Sequence, residues 1–159
     1  MNPPLHRDAL LHIVSDGNVL YALWHDAPTV PHLRALGRAL RIMVKAHPDG
    51  YLLLNTVHAG TPNFKEDVRK EVFGLLADRS IAPRATAHVI LVGGFAAAAT
   101  RAFIGALLLA ARPPSPAKIF GEMGGAVTWL EKQGGDIPGT PDAQTMRATH
   151  DAIAAAPVG

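Results

Sequence analysis

Residues 88–133 decide the fold of this chain, and they read HVILVGGFAAAATRAFIGALLLAARPPSPAKIFGEMGGAVTWLEKQ. The run at 88–92 is largely apolar, and Gly93 and Gly94 close it. Such a run, rich in β-branched residues, is typical of a strand buried on both faces. We therefore place a central strand at the start of this stretch.

The remainder of the stretch alternates between helix and strand. Residues 95–112 contain good helix formers and no proline, so they predict a long helix. A proline-rich segment at 113–116 ends that helix, and a short strand at 118–120 and a helix at 126–132 follow. This alternation favours a parallel sheet.

The upstream half begins with a hairpin signal. Asp16 and Gly17 lie between two alternating runs, which predicts two antiparallel strands over residues 10–25. Thr29 as N-cap and Pro31 in the first turn then predict a helix.

An apolar strand is expected at residues 51–57, followed by a helix at 64–79 whose start resembles a capping box of Asn63 and Glu66. The complete order is ββαβαβαβα. We expect one α/β domain over residues 1–133, with a mixed, mostly parallel sheet covered by helices. Residues 134–159 have a linker composition and are expected to form a short helix, loosely docked or disordered.

Composition excludes several classes of protein. A net charge of +2 is too small to indicate nucleic-acid binding. The absence of cysteine removes disulfides, thiolate metal sites and thiol catalysis, and it fits a cytoplasmic protein. Prolines and an acidic residue stand at 1–8, where a signal peptide would be apolar, so export is not expected.

The most apolar part of the long helix, residues 102–111, is too short for the roughly twenty residues that a membrane span needs. We predict a helix buried between layers with a partial interface, which makes a homodimer possible, and no membrane span.

Eight histidines invite a metal or acid–base hypothesis, but none lies in a pattern such as H-E-x-x-H. His12, His25, His58 and His88 lie near expected strands or strand ends, so some of them could meet in the sheet. Histidines at such positions are usually hydrogen-bonded structure. No serine lies in G-x-S-x-G, and we expect no catalytic residue, no metal and no cofactor.

Gly93 and Gly94 precede a helix, where α/β folds bind anions, and Arg101 follows within the same helix. These three residues are therefore anion or ligand candidates. The chain has neither G-x-G-x-x-G nor G-K-[ST], so a tight turn with close helix packing is the alternative.

The element order, the segment 92–95 before a helix carrying Arg101, and the segments 118–120 and 126–130 resemble the STAS-like superfamily of anti-sigma factor antagonists and its small bacterial relatives with a lipid-binding, CRAL-TRIO-like relation. The resemblance covers about residues 10–133. It implies a non-enzymatic binding module.

In that family, the loop after the corresponding strand carries a phosphorylated serine or threonine. The matching loop here is residues 58–63, in which Thr61 is the hydroxyl residue and the Asp-Ser pair is missing. The resemblance therefore marks His58, Thr61, Asn63 and Phe64 as a candidate partner-binding or phospho-switch face. The alternative is that Thr61 caps the helix.

Our first functional hypothesis is a STAS-like regulatory module that binds a protein partner in bacterial signalling. The alternative is a carrier or sensor of a small apolar or lipid ligand held between the sheet and the long helix. An enzyme that uses the histidines and the glycine turn is the third reading.

Overall fold

The computed structural model describes residues 2–60, 62–63 and 65–157. Within these ranges, the strands are β1 (His6–Arg7), β2 (Leu11–Asp16), β3 (Val19–Trp24), β4 (Leu52–Val57), β5 (Ala85–Ile90) and β6 (Ala117–Phe120). The helices are α1 (Val30–Ala46), α2 (Glu66–Ala77), α3 (Gly94–Ala111), α4 (Met123–Gln133) and α5 (Ala143–Ala155), with a 3₁₀ turn at Arg79–Ile81.

All six strands form one sheet in chain order, β1-β2-β3-β4-β5-β6. The first three strands are antiparallel neighbours and β3 to β6 are parallel, so the mixed α/β sheet is confirmed. The predicted hairpin is also confirmed: Asp16 pairs with Val19, and Gly17 supplies the positive φ of +57° that the two-residue turn requires.

The sheet is covered on both faces. On one face, α1, α2 and the 3₁₀ turn pack on alternate residues of β2, β3 and β4, among them Leu20, Trp24 and Leu53. On the other face, α4 and α5 pack on the intervening residues, such as Leu54 and Val89. Because the parallel strands progress in one direction across the sheet, the three connecting helices α1, α2 and α3 lie on the same face.

The element order and several boundaries differ from the sequence expectation. The edge strand β1 was not expected, α2 spans Glu66–Ala77 instead of 64–79, and α4 spans Met123–Gln133 instead of 126–132. The central strand β5 covers Ala85–Ile90 instead of 88–92, because its first residues pair with the start of β4 in register. The capping box at Asn63 does not form: α2 begins at Glu66, and the Asn63 side chain accepts from the Lys65 amide and donates to the Pro28 carbonyl.

The C-terminal segment forms the short helix that the sequence predicts, α5, but its packing differs from the expectation. Helix α5 is neither loose nor disordered, because Met146, His150 and Ile153 form a buried stripe against the sheet and α4. Alanine-rich composition hid this stripe, although its spacing of four and three residues is typical of a packed helix. The described residues therefore form one domain that includes α5.

Helix α3 is the second correction. Only Ala97, Thr100 and Leu107 are buried, whereas Phe95 is 90% exposed and Leu109 is 81% exposed. The predicted burial between layers is wrong, because α3 packs against α2, β5 and β6 through one face, and nothing in the described chain covers its outer face. By length and composition, with a mean hydropathy of 1.7, α3 is the one described helix that could span a membrane.

Candidate ligand pocket

A largely apolar pocket of about 140 Å³ lies between the sheet and the three helices of the first face. Its walls are leucines of α1 (Leu33, Leu36, Leu40), aliphatic residues of α2 (Val72, Leu75, Leu76) and one face of α3 (Thr100, Phe103, Ile104). Its floor is formed by β4 and β5, whose neighbouring residues Asn55 and His88 are paired in the sheet register. Polar side chains at the centre of an apolar sheet make this floor unusual.

The floor contains a chain of three hydrogen-bonded side chains. The Trp24 indole Nε1–H donates to Asn55 Oδ1 at 2.8 Å, and Asn55 Nδ2 lies 3.1 Å from His88 Nδ1. The indole nitrogen is only a donor, so the amide atom beside it is the oxygen and the amide nitrogen faces histidine. His88 Nδ1 is therefore the acceptor, and the proton of the neutral ring resides on Nε2.

His88 Nε2 has no hydrogen-bond partner among the residues that the structure describes, and the atom is buried. Burial lowers the pKa of His88 from 6.5 to about 4, so the ring is neutral at physiological pH. His88 lines the floor of the pocket, and its Nε2–H is an unsatisfied donor that is itself buried from solvent and from the pocket space. An unmade hydrogen bond of this kind costs about 1–3 kcal/mol, which an acceptor would recover after a small movement of the neighbouring side chains.

Two loops form the rim of the pocket. Asp26, Ala27 and Pro28 follow β3, and residues 59–60 with Pro62 follow β4. These loops are packed tightly: at Gly60, where φ is +91°, an added Cβ would lie 2.6 Å from the Ala27 amide nitrogen. The rim is therefore a joint structure of both loops, and only glycine fits at position 60.

The predicted partner-binding face lies only partly at this rim. His58 follows β4 and lies on the opposite sheet face against His150, whereas Asn63 donates to the Pro28 carbonyl. Thr61 and Phe64 lie outside the described residues. The loop singled out by the STAS-like resemblance therefore borders the pocket.

The structure does not bring the three residues of the predicted anion site, Gly93, Gly94 and Arg101, close together. Gly94 has a φ of +62°, which explains the tight turn, but an added Cβ at Gly93 or Gly94 would meet nothing within 4 Å, so close packing is not its role. Arg101 lies two helical turns further on, about 10 Å along the axis, and is exposed. Its guanidinium lies against the turn at Gly121.

Three histidines stack on the face opposite the pocket. The His58 ring lies 5.4 Å from that of His25 and 5.3 Å from that of His150, between ring centroids. Desolvation and the positive charges that His150 and His25 would carry lower the pKa of His58 from 6.5 to about 4. His88 does not join this stack, because strand alternation places it on the other face. Sequence reasoning grouped His25 with His58 but missed His150 of α5.

The Trp24–Asn55–His88 chain was also missed. A signal existed, since Asn55 and His88 are polar residues in apolar strands. Their pairing depends on the β4–β5 register, which the sequence alone does not provide.

Comparison of the chain with protein-family models, with curated proteins and with solved structures finds no match.

Proposed function

We propose that the protein is a non-enzymatic module that binds a small, uncharged, mostly apolar ligand in the pocket over β4 and β5. The observation that carries this proposal is the unpartnered Nε2–H of His88, a buried donor in a residue that lines the pocket, which a ligand acceptor reaches once the neighbouring side chains move slightly. The ligand's matching feature is a single hydrogen-bond acceptor, such as a carbonyl or ether oxygen.

The size of the pocket limits the ligand. A cavity of about 150 Å³ lined by Leu, Ile and Phe stays dry and binds benzene. The pocket here has about the same volume, 140 Å³, and similar walls. It accommodates one aromatic ring or a short aliphatic chain, with the acceptor oxygen directed at His88.

The electrostatics of the pocket favour an uncharged ligand and a binding role. The titratable side chains among the lining residues are Asp26 on the rim and His88 on the floor. His88 is neutral near pH 7, so a buried anionic group would find no cation to offset its desolvation. One neutral donor orients a ligand and supplies no nucleophile–base pair.

A regulatory role is the second proposal, and the position of the rim favours it. Ala59, Gly60 and Pro62 line the pocket and belong to the loop that the STAS-like resemblance assigns to partner binding. Ligand occupancy would then be sensed by this loop and passed to a protein partner. If so, Thr61→Asp and Thr61→Ala should differ in their affinity for the same purified partner, and equal affinities would contradict the switch.

The binding proposal is tested with a matched pair of probes, acetophenone and α-methylstyrene. The two have nearly the same shape, but a methylene group replaces the ketone oxygen in the second. We expect acetophenone to bind about 2- to 10-fold more tightly, which corresponds to a net hydrogen bond of ~0.5–1.5 kcal/mol. Amide chemical shifts in a ¹H–¹⁵N titration measure both affinities and locate the site.

Variants sharpen this test. His88→Leu removes the donor and should abolish the preference for acetophenone while leaving α-methylstyrene binding. Ala117→Leu fills the pocket and should weaken both probes, whereas Ala102→Leu on the exposed face of α3 should leave both unchanged. Shift changes outside the pocket, or an acetophenone preference that survives in His88→Leu, would contradict the proposal.

A further inference from the structure

A second side-chain cluster lies away from the pocket floor, where the edge strand β1 meets the start of α1. His6 of β1 and His32 of α1 both direct Nε2 at the same oxygen of Asp8, at distances of 2.9 and 2.7 Å. The imidazole rings are 5.5 Å apart in an edge-to-face arrangement. The three potential ligand atoms all lie within 4.8 Å of one another.

Each member of the cluster is held by a further contact. Asp8 Oδ1 accepts from the backbone amides of Leu10 and Leu11, at 2.8 and 2.9 Å, which turns Oδ2 toward the histidines. His32 Nδ1 lies 2.6 Å from Thr29 Oγ1. An outer hydrogen bond to the non-ligating ring nitrogen is the usual support of a metal-binding histidine.

We propose that His6, Asp8 and His32 bind a divalent transition-metal ion, with Zn²⁺ as the ion that the donors fit. Two imidazole nitrogens and one carboxylate oxygen are the donor types of an open zinc site, in which water or another ligand fills the remaining position. The side chains of His6, His32 and Asp8 are 27%, 19% and 41% exposed, so the ion and its fourth ligand have access from solvent.

The geometry requires a small adjustment. Without metal, both histidines donate Nε2–H to the carboxylate. To bind an ion, each neutral ring carries its single proton on Nδ1 instead, which frees the Nε2 lone pair and lets His32 Nδ1–H donate to Thr29 Oγ1. Zinc–ligand bonds of about 2.0–2.1 Å at tetrahedral angles place ligand atoms ~3.3 Å apart. The present separations of 2.9 and 2.7 Å open by several tenths of an ångström, which partly exposed side chains allow. The ion would join β1 to α1.

The test uses the full chain without a histidine tag, stripped with a chelator and dialysed. Calorimetric titration with ZnCl₂ and elemental analysis after desalting should give one zinc per chain. Asp8→Asn preserves an oxygen for the Leu10 and Leu11 amides but places an NH₂ group opposite the histidines. This variant, His6→Gln and His32→Gln should each lose at least 10-fold in affinity.

Two controls separate this site from the other histidines. His47→Gln alters the far end of α1, and His25→Gln alters the stacked histidines, so both should bind zinc as the unmodified chain does. Co²⁺ provides a second readout, since its visible d–d absorption should appear with the unmodified chain and be lost in Asp8→Asn. Circular dichroism confirms that each variant is folded.

Two outcomes would overturn the proposal. One is a folded, unmodified chain that retains no zinc above the buffer blank, which would leave the cluster as hydrogen-bonded structure only. The other is zinc binding that persists in all three site variants and disappears in His25→Gln. Neither outcome affects probe binding at His88, so the ligand-binding proposal and the metal-site proposal are tested independently.

Discussion

At the scale of single residues, the most informative side chain is Asn55. It lies in the middle of an apolar strand, accepts a hydrogen bond from Trp24 and faces His88 with its amide nitrogen. Its orientation decides which nitrogen of a buried imidazole carries the proton, and thereby whether the pocket offers a donor or an acceptor. The chemistry of the pocket floor therefore depends on a residue that only orients His88.

This orientation gives a spectroscopic prediction. At pH 7 the His88 ring should be the neutral Nε2–H tautomer, because Nδ1 accepts from Asn55 and burial lowers the pKa of His88 to about 4. Long-range ¹H–¹⁵N correlation spectra distinguish the two neutral tautomers and the imidazolium. His47, which is not buried, serves as the reference. A protonated Nδ1 on His88 would contradict the assignment.

At the scale of elements, α5 is a helix whose packing against the sheet is not predicted by its composition. Composition suggested a tail, but Met146 is 0% exposed and lies in the same cluster as residues of β3, β4 and β5. The Asp142 side chain caps the helix through the Thr145 amide. Helix α5 therefore completes the second face of the sheet.

Truncation of the buried methionine tests this packing. Met146→Ala should lower the free energy of unfolding by about 2–5 kcal/mol, the usual cost of deleting a large side chain from a core. Gln144→Ala, on the exposed side of the same helix, should change it by less than about 0.5 kcal/mol. Urea denaturation measures both, and equal small effects would mean that α5 is only loosely docked.

The elements that sequence could predict are those with strong local signals. The hairpin at Gly17, the Thr29 cap of α1 and the parallel β4 and β5 all follow from turn chemistry, capping and apolar runs. Burial of α3 was not predictable in this way, since an all-apolar helix has the same pattern whether it lies inside or outside. The pocket floor and the His6–Asp8–His32 cluster depend on register and on contacts between distant segments, which no local pattern encodes.

At the scale of the whole molecule, buried neutral histidines link stability to pH. Burial lowers the pKa values of His88 and His58 from 6.5 to about 4, and those of His12 and His150 also lie below 6.5. In the unfolded chain these groups titrate near 6.5, so below that pH the unfolded state binds more protons than the folded state. The free energy of unfolding should therefore fall on acidification and be insensitive to these groups above about pH 7.5.

Between pH 6.5 and pH 4, His88 alone should lower the free energy of unfolding by on the order of 3 kcal/mol. Urea denaturation over that range measures it. His58→Gln, which removes one titrating ring from the stack, should flatten the curve. A free energy of unfolding that stays constant or rises toward pH 4 would contradict the assignment.

The outer strands of the sheet are both short, with two residues in β1 and four in β6. Short edge strands offer a second molecule few backbone groups for hydrogen bonding, and this protects against intermolecular strand pairing that would grow into fibres. Among the described helices, α3 exposes the most apolar surface, at Phe95 and Leu109. Because its edge strands are short, this architecture disfavours self-association in which the edge strands of two copies pair.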